Sequence, residues 1–171
     1  MKFKVVESAM LRYTNRPLPE YRHLPFRNAH PFLDEDGHSF GEKLSPPDSF
    51  TAENWQSCED YLYSIDLFNH GFWWEAHERL KYVSIGAGRE SEAGQFVQGL
   101  IQVAAALLKH FMVEDKGAAT LMELGLGNLQ KMKGVYLGIE VSTLVVQVPN
   151  CLKTNDSKYP QIYLQQITPS F

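Results

Sequence analysis

The stretch Ser91 to Met112 constrains this chain more than any other. Turned at about 100° per residue, Val103, Phe96, Leu107, Leu100, Phe111, Ala104, Val97, Leu108 and Ile101 fill one unbroken apolar arc of roughly 160°. Gln95, Gln98, Gln102 and Lys109 fall in a narrow stripe opposite. Ala105, Ala106 and Gly99 flank that stripe and are small enough to let another backbone come close. A helix of this kind needs helical neighbours.

The flanking sequence supplies them. Thr51 is a candidate N-cap for a first helix carrying Trp55, Cys58, Leu62, Ile65 and Phe68 at three- and four-residue spacing, stopped by Gly71. A second helix from Phe72 sets Trp73, Ala76, Leu80 and Val83 on one side and ends around Ile85-Gly86-Ala87-Gly88. A fourth runs from Lys116 to Lys133, with Asp115 as cap and Gly134 as stop. Val141 to Val148 reads as strand by its β-branched content and equally as a short helix. The fold expected is all-α, an antiparallel bundle of four to five helices.

Ahead of the helices, Asn15 to Ser49 holds Pro17, Pro19, Pro25, Pro31, Pro46 and Pro47, which forbid a continuous helix. Tyr13, Tyr21, Phe26, Phe32 and Phe40 are interleaved, and a disordered tail would be poor in such residues. The expectation is an ordered, extended N-terminal strap whose aromatic side chains dock on the body. One structural domain results, divided into a strap (1–50), a helical body (51–149) and an extended C-terminal wrap (150–171).

The 171 residues are 44% hydrophobic and 21% charged, ordinary values for a globular protein. A formal charge of -4 and the lack of any Lys/Arg cluster argue against nucleic acid as a partner. Met1 to Glu7 lacks the apolar run of a signal peptide, and nothing approaches the roughly 18 apolar residues of a membrane span. Cys58 and Cys151 are far apart and read as free thiols of a cytoplasmic protein.

Three clusters bear chemistry. Trp73-Trp74-Glu75-Ala76-His77-Glu78 begins like a zinc-protease helix, but Lys81 stands where the second histidine is needed, and a cation cannot ligate zinc. What remains is His77 with Glu78 beside it and Glu75 on the neighbouring face, a set able to hold a divalent metal or a proton. The structural alternative pairs Glu75 with Arg79 and Glu78 with Lys81. In the strap, His30 and His38 bracket Asp34-Glu35-Asp36-Gly37, which would surround a small cation or simply make a tight turn. Gln98 and Gln102, four apart, can orient a ligand but have no useful proton-transfer chemistry. No phosphate-binding glycine loop and no serine-hydrolase elbow is present.

The run Phe68-Asn69-His70-Gly71-Phe72-Trp73-Trp74-Glu75-Ala76-His77-Glu78, followed by Arg89, by Phe96-Val97-Gln98-Gly99-Leu100-Ile101-Gln102-Val103-Ala104-Ala105-Ala106-Leu107 and by Gly117-Ala118, resembles the uncharacterised bacterial family called domain of unknown function 309. The resemblance spans Trp55 to Leu129. Arg16-Pro17-Leu18-Pro19, His30-Pro31 and Gly37-His38-Ser39 are similar to the strap of longer members, and Tyr136 to Val141 to a segment that caps a short helix. It implies an all-helical fold and helix after Val141, and its name says nothing about activity. Three departures stand out: Lys81 replaces a glutamate, Ser84 a tryptophan, and Val113-Glu114 a Gly-Asn pair.

His77, Glu78, Gln98, Gln102 and Arg89 all match motif positions, so the resemblance implies one polar cluster between the second and third helices. Two functions compete. The first is a binding or interaction module, taking a second copy or another protein, with Trp73, Trp74 and Phe72 as an aromatic edge. The second is a metal-assisted or general-base hydrolase-like enzyme. In it, His77, Glu78 and Glu75 are catalytic, Gln98, Gln102, Arg89 and Trp73 bind the ligand, and His30, His38, His77 and Glu78 serve a metal.

Overall fold

The structure is a computed structural model describing residues 11–153 and 159–165. The N-terminal residues read for a signal peptide, and 154–158 and 166–171 of the expected wrap, lie outside the described residues. Five α-helices form among the described residues: α1 (Glu59–Asn69), α2 (Trp73–Ala87), α3 (Glu92–Phe111), α4 (Asp115–Leu129) and α5 (Val141–Lys153). A two-residue hairpin, β1 (Val135–Tyr136) with β2 (Ile139–Glu140), precedes α5 in antiparallel register. Short turns fold α2, α3 and α4 each back on the helix before it. The all-α bundle with a non-helical strap is therefore the fold. No helix among the described residues is long and apolar enough to cross a membrane.

α3 is the centre. Ser91 caps it, accepting from the Gly94 amide at 3.0 Å, and its apolar arc is buried from Phe96 through Leu108. α4 lies against Gly99, where an added Cβ would stand 3.0 Å from the Gly125 carbonyl oxygen. The small side chain is what permits that approach.

Three boundaries differ from expectation. α1 starts at Glu59 and not near Thr51, because the Asn54 side chain accepts from the Thr51 amide at 2.7 Å and closes a turn there. Trp55 then enters the core through a single 3-10 turn, its ring against Tyr61. α4 stops at Leu129, four residues early, and Asp115 gives it no side-chain cap. After the hairpin, Val141, Leu144 and Val148 are buried at helical spacing, so 141–148 is helix, as the resemblance implied, and α5 continues past Pro149 to Lys153.

The strap runs without helix from Leu11 to Ser49 and is tied at several points. The Tyr13 and Thr14 amides donate to Asp66 of α1 at 2.8 and 3.0 Å. Residues 159–165 return to the same end of the bundle, where the Asn69 side chain bonds both main-chain groups of Ile162.

Candidate functional site

The first turn of α2 builds the site. Glu75 is only 5% exposed, an unusual place for a carboxylate, which loses hydration on burial unless partners replace it. Its Oε1 accepts from the His23 amide at 2.7 Å and from His38 Nε2 at 3.0 Å. Both donors come from the strap, so the strap hangs on this oxygen. Trp74, the next residue back, lies beneath the same segment, its ring 4.6 Å from His23, 5.2 Å from His30 and 5.8 Å from Phe32. Burial lowers the pKa of His23, against the opposing pull of Asn28 and Glu75.

Two loops complete the strap. In the first, Arg27 donates to the Leu24 carbonyl at 3.0 Å across Pro25 and Phe26, and Phe26 takes φ 65°. Asn28 braces this turn: its Oδ1 meets the Leu24 amide and His23 Nδ1, both at 2.9 Å, and its Nδ2 donates to the Arg22 carbonyl at 2.8 Å. The second loop is the Asp-rich turn. Asp34 accepts from the His30 amide at 2.6 Å, and His30 Nδ1 accepts from the amides of Phe32 and Leu33. His38 follows, its ring tilted by 59° and centred 4.7 Å from that of Tyr21, with Nδ1 2.8 Å from Ser39 Oγ. Tyr21 itself donates to the Ala29 carbonyl at 2.8 Å, joining the two loops.

The cluster expected between the second and third helices is not formed. His77 lies 3.4 Å from Glu78, and Glu78 pairs with Lys81 at 3.0 Å, the structural alternative for that residue. Gln98 and Arg89 are exposed. Gln102 accepts from Asn128 of α4 at 2.8 Å, so it serves the other face of α3. Trp73 is buried against Phe111 and Tyr159 and is not displayed to a ligand. Phe72 and Trp74 are buried as well, Trp74 beneath the strap, so these aromatic side chains pack inside the molecule.

The metal set is likewise dispersed. His38 faces Glu75, His30 Nδ1 caps its own turn, and His77 and Glu78 stay together on the helix. Among the described residues, no group of three or more His, Cys, Asp or Glu side chains is placed to hold a metal ion. Nor does Glu75 pair with Arg79. Arg79 instead reaches Glu42 of the strap at 2.8 Å and Asp60 at 3.6 Å while lying over the Tyr63 ring. Sequence reasoning thus found Glu75 and His38 but not their meeting, and it missed His23 and Asn28. Pro25, favoured at the second position of a β-turn, is the signal in the sequence for the first loop.

Strap aromatics divide in two. Tyr21 and Phe32 dock, as expected. Phe26 is fully exposed and Phe40 largely so.

A helical bundle whose second helix clamps a proline-rich strap by a buried carboxylate is the class these features define. Within it, residues 61–121 match the family described as Domain of unknown function (DUF309), the family that the motifs indicated. The match covers α1 to α3 and the start of α4 and leaves the strap outside it. No curated protein matches the chain.

Proposed function

We propose that this protein is an interaction module that docks a protein partner through its strap, with Phe26 as the anchoring side chain. One observation carries the reading: a fully exposed phenylalanine held at φ 65°. A left-handed backbone costs a side-chain-bearing residue about 1–2 kcal/mol, and Phe26 recovers none of that by packing within the chain. Residues in strained backbone concentrate where a ligand or partner is engaged. The turn that presents Phe26 is already ordered by Asn28, Pro25 and the His23–Glu75 bond, so docking adds little ordering cost. Aromatic side chains, Phe included, are enriched at the cores of protein interfaces.

The test replaces Phe26 with a photo-crosslinking phenylalanine analogue in cells and compares it with the same analogue at Phe40 and Tyr163, which are also exposed. The expected result is a discrete adduct at position 26 alone, competed away by excess wild-type protein and not by Phe26→Gly. An adduct of twice the chain's mass identifies a second copy as the partner. Equal, uncompeted labelling at all three positions contradicts the proposal.

A further inference from the structure

Beyond docking, we propose that Ser39 is an activated nucleophile that accepts an acyl group from small activated esters, with His38 as its base and Glu75 as a positioning residue. Ser39 Oγ is 2.8 Å from His38 Nδ1, and His38 Nε2 is 3.0 Å from Glu75 Oε1. The imidazole and carboxylate side chains are 3% and 5% exposed, so water does not compete for the contact between them. An ionised carboxylate only accepts, so Nε2 carries the hydrogen, and the neutral ring then offers Nδ1 as acceptor for the serine proton. This is the tautomer that general-base activation of a hydroxyl requires. Ser39 itself is half-buried beside exposed Phe40, and Gly41 opens on empty space. In the proposal, the ester reaches Oγ from this side of the loop.

In the step, Oγ forms a bond to the acyl carbon and the bond from that carbon to the leaving oxygen breaks. The serine proton passes to His38 Nδ1 and from there to the leaving group. Water later cleaves the acyl-serine, releasing the carboxylic acid and restoring the hydroxyl. The backbone also sets a limit. The amides of His38, Ser39, Phe40 and Gly41 already donate, to Tyr21 Oη, Pro31 O, Gly37 O and Phe32 O. None is free to hold a developing oxyanion, a contribution normally worth a factor of about 10²–10³. Acylation and deacylation both lack that help, and the acyl-serine, whose leaving group is far poorer than that of an activated ester, is the slower to be cleaved and persists.

The experiment mixes the full chain with p-nitrophenyl acetate. A burst of about one equivalent of p-nitrophenolate, then slow turnover, is expected, with an acetyl group on the Ser39 peptide by mass spectrometry. Ser39→Ala abolishes the burst with an unchanged melting temperature. Glu75→Gln keeps its stoichiometry, slows it by about a hundredfold and shifts its pH profile. No burst in the wild type, a burst that survives Ser39→Ala, or acetylation confined to lysines overturns the proposal.

Discussion

Glu75 and His38 stand 37 positions apart in sequence and 3.0 Å apart in space, with both side chains almost wholly buried. The same carboxylate oxygen holds the His23 amide, so one atom of α2 fixes two separate loops of the strap. Burying a carboxylate is unfavourable until such partners compensate it, and an ionised acceptor makes hydrogen bonds about twice as strong as a neutral one. The strap's order follows from that compensation.

Phe26→Gly should stabilise the free protein by about 0.5–1 kcal/mol. Relief of a left-handed backbone exceeds the added flexibility of glycine in the unfolded chain, and no packing is lost at an exposed site. Urea denaturation measures it. A clear loss of stability would mean that the ring is packed and not displayed.

Val113→Gly should stabilise by about 1 kcal/mol or more. α3 ends in a Schellman arrangement, with the Val113 amide bonded to His110 and the Glu114 amide to Lys109 at 2.8 Å. That geometry places Val113 at φ 63°, where a β-branched residue is strained, and its side chain is 79% exposed. Thermal denaturation would show it, and an unchanged or lower melting temperature contradicts the account.

Gly125→Ala should destabilise despite alanine's better helix propensity. A Cβ at Gly125 would stand 2.9 Å from Val103 Cγ2 and 3.0 Å from the Gly99 carbonyl oxygen. Pushing α4 off α3 should cost about 1–3 kcal/mol, more than the roughly 1 kcal/mol that helix propensity returns. Chemical denaturation would expose a net gain, if there is one.

Acidification should weaken the fold partly through His77. Burial lowers its pKa below the usual 6.5, outweighing the raising effect of Glu78, and His23 is lowered by burial in the same sense. The unfolded chain therefore takes up protons first. Stability is full above about 6.5 and is lost as pH falls from there through the folded values, where the loss levels off. His77→Gln should flatten the fall in melting temperature between about pH 7 and 5.5. An identical slope in the variant contradicts this.

Much of this was legible in the residues. The broad apolar face and Ser91 gave α3 nearly to the residue, and Gly99 announced the close approach of α4. Val113 stood out as a departure from the family pattern, and the backbone there shows the reason. α5 was ambiguous because β-branched content argues for strand; only burial at Val141, Leu144 and Val148 decides it. The site was the harder part. His77 drew attention by standing beside Glu78, yet one step along a helix turns a side chain by about 100°. It is Glu75 that faces the strap. Its partners lie on loops 37 and 52 residues away, and no periodicity reports a contact of that kind.

Amide hydrogen exchange in Glu75→Ala tests the clamp most directly. Exchange over residues 20–40 should rise by about tenfold or more, the effect of losing about 1.4 kcal/mol or more of local stability, while α3 and α4 keep their protection. Unchanged exchange across 20–40, or a uniform rise through the whole bundle, would contradict a strap held by this carboxylate.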